Sequence, residues 1–230
     1  MNRTLHGRSD RTSIPYRDGS GRTLADYPRP SVAVDTALLT LQTSSAEDLT
    51  LSVLEVRRQD GRGWGLPGTF LHEGERLINA VHRSLGEKAG VTGLRPRQLH
   101  VFDDPDRDDR GWVLSVAHVD VGPIDRLSAR NPRETRLAPV ESPGRLPYRH
   151  DEIIALAVED LRARYAMTPD PDRLLRASFT LRELRLVHEA VAGHGLQRDT
   201  FRRVMIDQLT GTGDAATGSR GRPAELFAHS

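Results

Sequence analysis

Residues 68–91, GTFLHEGERLINAVHRSLGEKAGV, decide how this chain folds. The stretch continues a glycine-rich run, DGRGWGLPGTF, and then places Leu77, Ile78, Val81 and Leu85 at positions i, i+1, i+4 and i+8. That spacing makes one apolar helical face, and Gly90 is the natural C-terminal stop. A helix with one apolar face needs a partner to cover it, and the flanks supply strands. Upstream, SVAVDTALLTL and LTLSVLEVRR alternate with period two, are rich in β-branched residues and are separated by the polar SSAED, which predicts a hairpin. Downstream, QLHVF and WVLSVAHVDV read as two more strands, the second carrying Val113, Ser115, Ala117, Val119 and Val121 on one face. The block is therefore α+β, a mixed sheet around at least one central helix.

Further out the composition changes. Residues 1–28 carry scattered arginines and turn formers without an apolar period, so a flexible N-terminal tail is expected. Between Val121 and Tyr148 the chain is rich in Pro and Arg without a period, a connection or an irregular last strand. HDEIIALAVEDLRARYA then puts Ile153, Ile154, Ala157, Val158 and Leu161 on one stripe. FTLRELRLVHEAVAG opens with Thr180 and Glu183 in capping-box spacing. LQRDTFRRVMIDQL forms another amphipathic helix, with Phe201, Val204, Met205 and Gln208 or Leu209 expected inside. A flexible Gly/Thr/Ala tip and RPAELFAH complete two short strands, and helix, turn, helix, hairpin is the order of a winged helix. The expected organisation is a tail at 1–28, a first domain at 29–145 and a winged helix-turn-helix at 146–230.

The 230 residues contain no cysteine, which excludes disulfides, thiolate nucleophiles and cysteine-ligated metals. The net charge of +1 argues against a polybasic coat, so local charge matters more than the total. Lys88 is the only lysine; the other basic residues are arginines, which suit planar contacts to phosphate and guanine. No apolar run reaches the ~20 residues of a membrane span, and the N-terminus lacks the apolar core of a secretory signal, so a cytoplasmic protein without membrane partners is expected.

The segment from Gly68 to Val91 resembles the Nudix box, G-x5-E-x7-R-E-U-x-E-E-x-G-U with U aliphatic. Glu75, Arg83, Leu85, Glu87, Gly90 and Val91 fall in register, while Thr69 stands at the leading glycine. The resemblance implies a Nudix-fold α/β/α sandwich and an ion pair between Glu75 and Arg83 that supports the fold. In that family the acidic positions after the arginine hold divalent cations, hard ions that take oxygen ligands. Here they read Ser84, Glu87 and Lys88, so one carboxylate of three remains and no metal or catalytic residues are expected. A fold that cradles nucleoside diphosphates can keep binding after losing chemistry. The expected ligand-binding set is Arg57, Arg58, Glu75, Arg83, Glu87, Lys88, Arg107 and Arg110, the last two within a DPxRDxRGW pattern similar to one in ADP-ribose-handling relatives. The plain reading of Arg107 and Arg110 is a surface ion pair with the adjacent aspartates. Trp64 or Trp112 would stack on a base or, in the plainer reading, be buried in the core.

In the second block Arg202 and Arg203 lie off the stripe of Phe201, Val204 and Met205, with Arg198 and Thr200 beside them, as in a helix that enters the major groove. Thr180, Arg220 and Arg222 complete the expected DNA-binding set; a solvated face with an Asp199–Arg203 pair is the plain alternative. The layout past the tail is similar to the NrtR-like Nudix-related transcriptional regulators. That resemblance implies a homodimeric repressor of NAD- or sugar-metabolism genes that binds double-stranded operator DNA and senses ADP-ribose or a related nucleotide, with no further cofactor. Two rivals remain: a Nudix hydrolase of such nucleotides using Glu87 with Glu73 or Glu75 as replacement ligands, and a second domain that binds protein.

Overall fold

A computed structural model describes residues 16–45, 48–216 and 223–229. The segment up to Pro30 is a unit of its own. Its described part is locally ordered by aspartates, where a featureless tail is expected from composition: Asp18 accepts the Ser20 and Arg22 N–H groups at 2.8 and 3.0 Å, and Asp26 accepts from the Thr23 N–H and hydroxyl at 2.6 and 2.8 Å. Short polar side chains close turns through their own backbone and need no apolar period to do so.

In the second unit, β1 (Ser31–Ser45) and β2 (Asp48–Arg57) form the antiparallel hairpin, Leu39 opposite Val53. β6 (Val113–Val121) runs parallel to β1, and β5 (Arg97–Phe102) closes the edge. β3 (Trp64–Gly65) and β7 (Thr135–Pro139) pair with β2, and β4 (Gly68–Phe70) pairs with β1. The irregular stretch after Val121 thus contains a real strand. Both faces of the sheet are covered, so β6 is buried at most positions, Val116 and His118 included, instead of alternating.

On one face lies α1 (Leu77–Ser84), continuing as a wider π-helical turn over Leu85–Ala89. Ala80, Val81, Leu85 and Ala89 pack on Val34, Leu38, Leu54 and Val56. Ile78, expected on the apolar face, is 38% exposed, because the buried stripe is centred on Val81. Gly90 ends the helix at φ 70°. The opposite face is covered by α2 (His150–Met167), whose Ile153, Ile154, Ala157, Val158 and Leu161 pack on Leu39, Leu51, Val53 and Val119. The boundary expected at 146 would give this helix to the second block; its stripe instead closes the first sheet into a three-layer sandwich.

The last part contains β8 (Ser178–Thr180), α3 (Leu181–Ala192), α4 (Arg198–Met205), β9 (Thr210–Ala215) and β10 (Glu225–Ala228), with β10 between β8 and β9. Phe179, Leu184, Phe201, Met205 and Phe227 form its core. Val204, expected inside, is 51% exposed, since an eight-residue helix buries only Phe201 and Met205. Val187 and Val191 of α3 belong to the α2 side of the sandwich core, so α3 serves both cores. The capping box is present: the Glu183 N–H donates to the Thr180 hydroxyl at 3.2 Å, and the Thr180 N–H donates to the Glu183 carboxylate at 2.7 Å. Thr180→Ala is expected to cost about 1 kcal/mol, the usual value of a lost N-cap, read as a lower urea midpoint at unchanged slope.

Candidate nucleotide cleft and nucleic-acid interface

A cleft of about 630 Å³ opens where β1, the β2 end, the β3–β4 loop, the α1 C-terminus and the start of α2 converge. At its floor is Asp35, which the sequence reading missed. The residue is 7% exposed, and its carboxylate accepts from Arg107 Nη2 at 3.1 Å and from the Ser115 hydroxyl at 2.5 Å. His150 Nε2 lies 3.3 Å from Asp35 Oδ1, and His150 Nδ1 accepts the Leu66 N–H at 3.0 Å. An acceptor Nδ1 leaves Nε2 as the donor, so the ring orientation is set from both sides. Burial alone would push the Asp35 carboxyl up; the His150 ring, the Ser115 hydroxyl and the Arg107 guanidinium reverse this and hold it well below the usual carboxylate range. A β-carbon on Gly68 would fall 2.0 Å from Asp35 Oδ1, so that position of β4 requires glycine.

Charges of both signs surround this floor, Asp60, Glu87, Asp108 and Glu134 standing among the cations. Arg57, Arg58, Glu87, Lys88, Arg107 and Arg110 of the expected ligand set all line the cleft. Lys88, half-buried, donates its ammonium to the Gly68 carbonyl, and burial pulls its pKa below the usual lysine value. Arg110 forms a two-point pair with Asp108 at 2.8 and 2.7 Å, and its guanidinium lies 4.0 Å from the Tyr148 ring centre and 5.0 Å from that of Phe70. The plain surface-pair reading therefore holds for Arg110 and fails for Arg107, which is buried on Asp35, 72 residues away in sequence. Arg57 stacks on Trp64 at 5.1 Å, and Arg136 approaches the same ring at 4.9 Å while bonding the wholly buried Glu55 at 2.7 Å. Neither tryptophan is buried in the core: Trp64 is partly exposed and Trp112 is 47% exposed.

Glu75 and Arg83 are not brought into the cleft. Arg83 grips Glu75 through Nε and Nη2 at 2.9 and 2.8 Å, and also donates to the Phe70 carbonyl at 3.0 Å and the Thr69 hydroxyl at 3.1 Å. The pair thus staples the loop between β4 and α1. Thr69, out of place for the box, serves as one of its ligands.

The residues do not fit a divalent cation. Ser84 is 1% exposed, its hydroxyl has no hydrogen-bond partner, and it does not line the cleft. The Lys88 ammonium stands at the third acidic position, which leaves Glu87 alone. Among the described residues no group of three or more His, Asp or Glu side chains is arranged to hold a metal ion.

In the second block Arg198, Thr200, Arg202 and Arg203 are exposed on α4, opposite the buried Phe201 and Met205. Gln197 caps the helix, accepting the Thr200 N–H at 2.6 Å, a cap the sequence reading did not identify. Among the described residues Arg198, Arg202 and Arg203 have no ion-pair partner, and the Asp199–Arg203 pair does not form. Thr180 is occupied by the α3 cap. Arg220 and Arg222 lie outside the described residues. No helix among the described residues is long and apolar enough to cross a membrane.

The two-point bond to Arg83 lowers the Glu75 carboxyl from 4.5 to about 2. A carboxyl acidified by folding stabilises fully above its unfolded pKa and loses that contribution as pH falls through the folded one. The melting-temperature gap between wild type and Glu75→Gln is therefore expected to be constant above about pH 5.5 and to shrink between 4.5 and about 2.

Comparison with known proteins places these features in a family. Residues 36–177 match the NUDIX domain, and residues 172–228 match the NrtR DNA-binding winged helix domain. An ADPR responsive transcriptional repressor, NtrR, of Acinetobacter baylyi is 27% identical over 213 residues, spanning 88% of this chain and 83% of that protein. The crystal structure of Shewanella oneidensis NrtR complexed with a 27mer DNA is 31% identical with a TM-score of 0.69, over 86% of this chain and 93% of that one. The NUDIX domain of that NrtR complexed with ADP ribose is 26% identical with a TM-score of 0.51, over 62% of this chain and 95% of that one. With more than half of its length matching the NUDIX domain and most of the rest the NrtR winged helix, the chain belongs to the NrtR family of NUDIX-domain transcriptional regulators.

Proposed function

We propose that this protein is a ligand-responsive transcriptional repressor that binds operator DNA through its winged helix and ADP-ribose or a related nucleotide in the first-domain cleft, without hydrolysing it. The observation that carries this reading is the presence, in one chain, of a cleft into which Arg57, Arg58, Lys88, Arg107 and Arg110 converge and a short helix whose outward arginines have no ion-pair partner among the described residues. Arg57, Arg58 and Lys88 offer charge-assisted hydrogen bonds to a diphosphate, and Arg110, between Phe70 and Tyr148, marks an edge suited to a planar ring. Hydrolysis of a pyrophosphate by this fold calls for clustered carboxylates around metal ions; Ser84 and Lys88 remove that cluster and leave binding. The names of the Acinetobacter and Shewanella relatives support both ligand classes.

In this reading α4 presents Arg198, Thr200, Arg202 and Arg203 to the major groove, and a cytoplasmic homodimer spans two half-sites about one DNA turn (~34 Å) apart. Ligand alters the placement of the two readers, and with it affinity for operators of NAD- or sugar-metabolism genes.

An operator obtained by in vitro selection on the purified protein is expected to show specific binding by fluorescence anisotropy that changes several-fold with ADP-ribose. Arg202→Ala with Arg203→Ala should reduce the slope of log affinity against log salt by about 2, one per lost phosphate contact. Absence of specific DNA binding with and without ADP-ribose would sink the proposal. Incubation with ADP-ribose and magnesium is expected to leave the nucleotide intact by chromatography, whereas brisk release of AMP would instead establish a hydrolase.

A further inference from the structure

We propose that His150 is the positioning residue through which occupancy of the cleft reaches the recognition helix α4; this rests on the regulatory reading above. His150 is the first residue of α2, and its ring bridges the cleft floor at Asp35 and the backbone of Leu66. Asp35 divides its contacts: one oxygen takes Arg107 and Ser115, the other faces His150. Arg107 is 5% exposed, and its Nε is a buried donor without a hydrogen-bond partner, in the lining of the cleft. A buried unpaired donor is a standing demand for an acceptor, and a diphosphate oxygen meets it. An anion that shares Arg107 weakens the cation's hold on Asp35, and a buried carboxylate deprived of its cation must turn to its remaining donors. His150 is the one of these that starts a helix.

The entry to that helix is held in a strained backbone conformation. Tyr148 and Arg149 are consecutive non-glycine residues in the left-handed region, each at φ 55°, a conformation kept only by surrounding contacts. Tyr148 also lies against Arg110 and edge-on to His150, at 4.0 and 5.8 Å between centres, so a ring taking the place of Arg110 bears on the same joint.

From there α2 is a rod of 18 residues, about 27 Å long at 1.5 Å per residue. Its far end grips the DNA reader. Arg162 Nε donates to the Val191 carbonyl of α3 at 2.9 Å, Tyr165 meets His188 of α3 edge-on at 5.1 Å, and His188 meets Phe201 of α4 at 5.0 Å. The cleft floor and the α4 core are thus joined by one helix and three rings. This gives the two sites a shared element whose position both can bias, which coupling requires.

Two substitutions separate the parts of the His150 ring. Asparagine places an oxygen near Nδ1 and keeps an acceptor for Leu66, but falls short of Asp35; glutamine extends an amide nitrogen toward Asp35. The readout is the ratio of operator Kd at saturating ADP-ribose to that without it, which is independent of changes in ligand affinity. His150→Asn is expected to bring this ratio within about twofold of unity from a wild-type value in the usual ~5 to 150-fold range, and His150→Gln to restore most of it. In the wild-type protein, saturating ADP-ribose should also change amide hydrogen exchange in the first turn of α2 and in α4, a readout that needs no variant. A His150→Asn protein with the full wild-type ratio, or exchange unchanged in both helices, would overturn the coupling role while leaving the regulatory reading intact. A wild-type ratio of one would overturn the regulatory reading itself.

Discussion

The buried carboxylate of Asp35 is the constraint on which the cleft depends. A charge removed from water is tolerated only when it is paired and hydrogen-bonded, and removing one partner of such a pair typically costs about 3–5 kcal/mol. Asp35 meets that condition with groups from three places, Arg107 from the β5–β6 loop, Ser115 from β6 and His150 from α2, while the missing side chain of Gly68 in β4 leaves room for its carboxylate. Each of those elements is drawn to the same point, and the cleft is the space left above it.

The same economy governs charge around the cleft. Where the Nudix box has acids to gather metal ions, this chain has a buried serine, one exposed glutamate and a lysine whose ammonium is spent partly on the Gly68 carbonyl. Cations that would repel a metal attract phosphate, so the same substitutions suit the proposed binding without hydrolysis. The Glu75–Arg83 pair survives because its work is structural: it ties the loop before α1 to the strand end at Phe70.

Helix α2 joins the two halves because its faces serve different neighbours. One stripe closes the sandwich, and its last turns reach α3, which shares residues with the sandwich core while its own N-terminal half contributes to the winged-helix core. A reader built in this way does not hang from a loose linker; its orientation is tied to the sheet that carries the cleft.

The hairpin, the α1 and α2 stripes, the Thr180–Glu183 cap and the Glu75–Arg83 spacing were legible in the chain itself, because each depends on periodicity or on neighbours within one or two helical turns. Of the ligand set expected from the sequence, the charges at 57, 58, 87, 88, 107 and 110 come to line the cleft. Ile78 and Val204 were misplaced because a helical period identifies a stripe but not the width of the surface that will cover it. The partner of α2 was hidden for a similar reason: its stripe would suit either core, and only packing decides which sheet it closes. Asp35, Ser115 and His150 left no local signal at all. Asp35 sits in an apolar strand, and the 72-, 80- and 115-residue separations to Arg107, Ser115 and His150 are closed only when β1, β6 and α2 come together. Local chemistry was written in the sequence, whereas the shared buried charge came from the tertiary structure, since the cost of burying an ion exists only once the fold has removed the water.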